Sequence, residues 1–409
     1  MKKSELKKYA KVLVEIGANV QKKQEVIVNA PVEAFLFAEY VVEAAYKKGA
    51  KKVTVNWNDS NINKMNYKYQ KVDSLCEVQD YDIDKMKKQA TILPAVINIG
   101  SPNPDAMNGI DMTKVGAVMK AHAAAFKEIR QSMAWKHQST IGMYPNEVWA
   151  KKIFPTLSGK QAVKELWKAI SMCSRLDGNP IENWKEHNDN ILKNRKMLND
   201  LKIKTLHFTN SIGTDIKIDL LENTGFAGGG LYTPKGVYFY PNVPTEETFT
   251  SPDKNSANGI VYSSKPLSVR GSLVDNFGFK FKNGKIVEVL AKDDKHKKIL
   301  EELINTDEGA SRLGEVALVP FSSPINQTNL LFYNTLYDEN AVCHLAIGNA
   351  FSFTINGNEN MTAEEIKAVG LNESMIHVDF MIGTSDMSVV ATTYSGEVKQ
   401  IFKNGEWAI

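Results

Sequence analysis

Apolar positions recur with helical spacing over residues 6–16, where Tyr9, Ala10, Val12, Leu13 and Ile16 share one side and Lys2, Lys3, Lys7 and Lys8 take the wet side. A strand pattern follows at 25–29, then a long helical pattern over 34–48 closed by Gly49, then a second strand at 52–57. This is a strand-helix-strand unit of the α/β kind. The apolar run at 95–99 predicts a further strand, ending in Gly100-Ser101-Pro102-Asn103-Pro104, a loop placed where α/β sheets bind ligands. No strand is followed by Gly-x-Gly-x-x-Gly, so nothing marks this half as nucleotide-binding. Helical spacing returns at 113–133, 159–176 and 183–201. From about residue 203 the texture changes to short alternating strands at 205–208, 215–220, 236–240, 259–262, 277–282 and 286–290, with Lys282-Asn283-Gly284-Lys285 as a hairpin turn. The pattern predicts an α/β N-terminal domain over 1–202, followed by a mixed α+β, strand-rich domain over 203–409.

The run 374–383 carries the sharpest chemistry. Its apolar, partly β-branched flanks read as a buried strand, so His377 and Asp379, two positions apart, project from one face. A buried imidazole and a buried carboxylate are costly unless something satisfies them, and a divalent metal does so for both at once. A His-Asp hydrogen bond tying the strand to a neighbour is the competing explanation. Three upstream segments, 242–252, 308–320 and 335–346, have a similar character, each setting an ionisable side chain beside apolar residues or at a turn. Glu315 opens a strand-like run directly after Gly314, where a carboxylate can point from a strand end into a cleft. His344 follows Asp338-Glu339-Asn340, a pattern that predicts a helix N-cap and places the imidazole in the first helical turns. Carboxylates and imidazoles without thiolates are the ligand set for zinc, cobalt or manganese in a hydrolytic site.

These four segments, in this order and spacing, resemble the aminopeptidase T and aminopeptidase S family of dinuclear metallopeptidases, and the resemblance runs over essentially the whole chain. It implies that Glu247, the second glutamate of Pro-Thr-Glu-Glu, is a metal ligand in preference to Glu246. It likewise implies Glu315 in Arg-Leu-Gly-Glu, His344 after Asp-Glu-Asn-Ala, and the pair His377 and Asp379. These five would hold two divalent metal ions, zinc, cobalt, manganese or magnesium, with Glu315 shared between them and Glu315 and Glu247 as the catalytic carboxylates. Asp338 and Glu339 are candidates to orient His344, although helix capping explains them as well. The family's tyrosine seven residues after the first histidine is Phe351 here. The implied activity is release of N-terminal amino acids from peptide substrates by a homodimer. A metal-dependent amidase or esterase acting on a small non-peptide substrate, and an inactivated member that binds metal without turnover, are the alternatives.

Composition adds exclusions. The chain has 409 residues and a net charge of +3 with no basic run, so nothing points to nucleic acid or to an anionic membrane surface. Cys76, Cys173 and Cys343 show no Cys-x-x-Cys spacing and are expected as reduced, buried thiols. Cys343 beside His344 is not a catalytic dyad, because sequence neighbours face different directions. An N-terminus without an apolar core, and no apolar stretch of about 18 residues, lead us to expect a cytoplasmic protein with no membrane partner. The glycine-rich run 225–230 sits between strands without a following Lys-Ser/Thr, and reads as a flexible turn. His122, His137, His187 and His207 lie outside the matching segments, and His296 belongs to a solvated charge run.

Overall fold

The β-branched run Glu25–Pro31 forms an inner strand of a parallel sheet and pairs in register with Lys52–Asn58, Glu25 opposite Lys52. The helix Phe35–Lys48 connects the two, and Gly49 ends it at a φ of 102°, a left-handed position that favours glycine. The computed structural model describes residues 1–134, 136–269, 272–358 and 361–409. It comprises two units, Met1–Glu186 with Gly230–Pro244, and His187–Gly229 with Thr245–Ile409.

In the first unit, the described residues form a five-stranded parallel sheet in the order Asn242–Val243, Ser139–Met143, Ala95–Gly100, Glu25–Pro31, Lys52–Asn58. Tyr9, from the first helix, is fully buried, stacks on Phe37 at 5.2 Å, and its hydroxyl accepts the Met143 backbone N–H at 2.8 Å. The helices Ser60–Tyr69, Val72–Cys76 and Asp80–Ile92 were not legible in the apolar pattern, and none of them has a fully buried face. No helix among the described residues is long and apolar enough to cross a membrane.

Among its described residues the second unit carries the two-stranded sheet of Leu267–Val269 and Ser272–Val274 and two large antiparallel sheets. One has eight strands and includes the expected hairpin, Phe277–Lys282 paired with Lys285–Ala291. The other has five strands, in the order His377–Met381, His344–Gly348, Leu313–Leu318, Thr248–Thr250, Ala227–Gly228. Side chains of both sheets share one apolar core: Phe380 lies 5.3 Å from Phe279 and 6.1 Å from Phe277, ring to ring. The charge run around His296 is the capped start of the helix Asp294–Ile304 and lies largely exposed, as expected, while Leu300, Leu303 and Ile304 further along bury the apolar side of the helix.

Candidate metal centre

The five-stranded sheet turns one face to its core and the other to a cluster of ionisable groups. Phe380 belongs to the core, so by strand alternation His377, Asp379 and Met381 point to the opposite face. Register then builds a row across the sheet: Asp379 lies opposite Ala346, and Ala346 opposite Glu315. The next row runs Met381, His344, Ala317, Phe249. The alanines are the small members of this face, and the longer side chains around them converge over that low ground.

His344 occupies the first position of a strand, not a helix. Residues 335–346 make one helical turn, Thr335–Asp338, and a 3₁₀ turn, Glu339–Ala341, before the strand His344–Gly348 begins. Asp338 accepts the backbone N–H groups of Phe332 at 2.7 Å and Asn334 at 2.9 Å, so it closes the preceding loop instead of capping a long helix. Pairing on both sides, with Leu313–Leu318 and His377–Met381, outweighs the weak helical preference of the segment. Cys343 is buried, and burial pushes its thiol up to about 11, in keeping with an inert hydrophobe. The glycine-rich run is likewise no free turn: Gly228 pairs with Thr248 at a φ of 146°, and a Cβ there would lie 2.6 Å from the Glu247 carbonyl oxygen.

The five expected residues come together. His344 Nε2 is 3.3 Å from Glu247 Oε2 and 3.7 Å from Glu315 Oε1, and His377 Nε2 is 3.1 Å from Glu315 Oε2 and 3.2 Å from Asp379 Oδ1. They form two three-residue groups, Glu247, Glu315, His344 and Glu315, His377, Asp379, within each of which the ligand atoms lie within 4.8 Å of one another. Glu315 belongs to both. The second nitrogen of each ring is held by backbone: His377 Nδ1 lies 2.7 Å from the Asn349 carbonyl oxygen and His344 Nδ1 3.3 Å from that of Val342. A carbonyl only accepts, so Nδ1 carries the proton and each Nε2 is aimed at the carboxylates.

The electrostatics are those of a site built for cations. Burial alone would lower the imidazole of His377, but the hydrogen bonds and charges of Asp379 and Glu315 outweigh it and hold it at about 11. His344 is raised well above its ordinary value against the same burial, by Glu247 and Glu315. Burial raises Glu247, assisted by the charge of Glu315. Asp379 is lowered although burial opposes it, because His377 bonds to it.

Glu339 is part of this cluster more directly than its sequence position suggests. Its side chain hydrogen-bonds Asp379, and burial together with the charges of Asp379 and Glu247 pushes its carboxyl well above the usual range. Buried Asn340 donates to Glu339 Oε1 at 3.3 Å and accepts the Glu246 backbone N–H at 2.7 Å, linking this turn to the segment that carries Glu247. Glu246 itself turns away, 3.8 Å from His187. His207 pairs with Asp215 at 2.7 Å and His296 with Asp293 at 2.8 Å, while His122 and His137 meet backbone carbonyls, and none belongs to either three-residue group. Phe351 lies beside the cluster, its ring 4.9 Å from that of His377.

Residues 2–407 match the thermophilic metalloprotease (M29) family. The chain is 42% identical to aminopeptidase AmpS of Bacillus subtilis (strain 168), over 98% of each sequence. It is 35% identical to aminopeptidase T of Thermus thermophilus, over 100% of this chain and 99% of the other. The solved structure of wild-type AmpT from Thermus thermophilus superimposes with a TM-score of 0.91 at 34% identity, covering 100% of both chains.

Proposed function

The chain belongs to the thermophilic metalloprotease (M29) family and is a metalloaminopeptidase, a hydrolase of peptide bonds, and from that premise we propose that it releases N-terminal residues by activating water at two divalent ions. The observation that carries this reading is the pair of three-residue groups sharing Glu315, with both imidazole Nε2 atoms aimed inward. Carboxylate oxygen and imidazole nitrogen without thiolate fit zinc, cobalt, manganese or magnesium. Glu247, Glu315 and His344 would hold one ion, and Glu315, His377 and Asp379 the other. When bound, such ions supply Lewis acidity, which acidifies water and polarises a scissile carbonyl.

The protein's own groups do the rest. The carbonyls of Asn349 and Val342 fix both imidazoles in the tautomer that leaves Nε2 free to ligate. Glu315 lies between the two groups, so its charge serves both. Glu247 and Glu315 are the glutamates of the cluster, and one of them would take the proton from water and pass it to the leaving amine. Peptide substrates, a cytoplasmic site of action and a homodimer go with this proposal, the last open to light scattering.

The test is hydrolysis of aminoacyl chromogenic substrates and short peptides, with and without a chelator, then with each of the four metals restored. We expect activity that the chelator removes and at least one metal returns. Metal binding with no turnover of any substrate would favour the inactivated reading, and turnover confined to non-peptide amides or esters would favour the amidase reading.

A further inference from the structure

The strand His377–Met381 spans about 13 Å, the length of a short extended peptide. Its two ends border different chemistry. At the Met381 end, beside Asp379, lies a small recess of about 60 Å³ lined also by Leu267, Asn334, Thr335 and Glu339. The Asn334 side-chain oxygen is buried there without a hydrogen-bond partner. An acceptor in that state, next to carboxylates, calls for a donor that carries positive charge.

Beside His377 stands Phe351, one of three half-buried phenylalanines that pack on one another. Phe249 meets Phe351 at 5.7 Å and Phe353 at 6.0 Å, Phe351 meets Phe353 at 5.2 Å, and Phe351 lies 4.9 Å from the His377 ring. Partly open rings, one of them tilted against a site residue, offer an apolar surface to whatever lies over that residue.

We propose that the peptide lies along this strand with its α-ammonium and first side chain in the recess beside Asp379, and its second side chain against Phe249, Phe351 and Phe353. The inference rests on the aminopeptidase reading and adds a direction and a selectivity to it. The recess is smaller than most ligand pockets, so the first residue is limited in bulk, whereas the second is favoured when apolar or aromatic.

The test uses metal-loaded full-length protein and the dipeptides Ala-Ala, Leu-Ala and Leu-Phe. Phe353→Ala should lower the kcat/KM ratio of Leu-Phe to Leu-Ala about three- to tenfold and leave the ratio of Leu-Ala to Ala-Ala as in wild type. Thr335→Phe, an exposed position whose larger side chain would crowd the recess, should do the reverse. Binding of free leucine, read by titration calorimetry and so without turnover, should weaken in Thr335→Phe and not in Phe353→Ala. If each variant alters the other's ratio, the direction is reversed and the proposal falls. Uniform changes in both ratios overturn it too, with the aminopeptidase reading left standing. Wild type that cleaves no dipeptide under any metal overturns both.

Discussion

Glu315→Gln keeps the shape of the side chain and removes the charge that both three-residue groups share. The glutamate faces His344 at 3.7 Å and His377 at 3.1 Å. Removing one partner from a buried charge pair costs about 3–5 kcal/mol, and at 1.4 kcal/mol per decade that weakens binding of each ion by about two to three and a half orders of magnitude. Glu247→Gln and Asp379→Asn each touch only one group. At a free metal concentration that just fills wild type, Glu315→Gln should therefore lose nearly all metal, while each of the other two keeps about half. Elemental analysis after dialysis gives the content, far-ultraviolet circular dichroism checks the fold, and Leu-Ala hydrolysis reads the activity, which we expect to vanish in Glu315→Gln. Wild-type metal content in Glu315→Gln would refute the shared-ligand argument. Equal emptying by all three variants would refute the division into two groups.

In the metal-free protein, the His377 imidazole, at about 11, is protonated at neutral pH, so a metal must displace that proton. Apparent affinity should rise about tenfold per pH unit for each proton released between pH 6 and 8, measured by chelator competition; a flat profile would count against imidazole ligation. The same shift has a stability sign: the folded value lies above the unfolded value of about 6.5, so the stabilisation is complete below pH 6.5 and is lost as pH rises through about 11. Denaturant midpoints of chelated protein should fall over that interval, and a constant midpoint would show that the ion pairs are not formed. Phe351→Tyr places a phenol beside His377 and should raise kcat by up to about 10²-fold with little change in KM, and an unchanged kcat at saturating metal would assign this ring to packing alone. Gly348→Ala puts a Cβ 2.1 Å from the Ile376 carbonyl oxygen at a φ of 104°, so it should destabilise by about 1–3 kcal/mol and reduce bound metal, with urea denaturation as the measurement; wild-type values in both would show that the backbone shifts freely.

Where the sequence was readable, a single physical signal dominated. Alternation and turn residues located the hairpin at Lys282–Lys285, and β-branched runs bounded by a helix located the strands Glu25–Pro31 and Lys52–Asn58. The pair His377 and Asp379 was readable because the two sit two apart in an apolar run, whereas Glu247, Glu315 and His344 were indicated by the resemblance of their segments to the aminopeptidase T and aminopeptidase S family. His344 was misread because a short apolar run after polar residues has no period to separate helix from strand, and only its two neighbouring strands decide the matter. Glu339 was underweighted for a related reason: its carboxylate reaches Asp379 through a 3₁₀ turn that no local preference announces. The helices Ser60–Tyr69 and Asp80–Ile92 were missed because neither buries a full apolar stripe, and that stripe is what periodicity detects.

The row Asp379, Ala346, Glu315 exists only in one alignment of three strands drawn from distant parts of the chain. A slip of one residue along His377–Met381 would send its imidazole and carboxylate into the core and bring Val378 and Phe380 out. Strand pairing of this kind closes long loops and forms slowly. Ions held by this row would recognise only the finished alignment and would stabilise it by mass action. A metal held by these residues would therefore select strand register: a chain aligned one residue in error would lack the ligand set and the stability that binding adds.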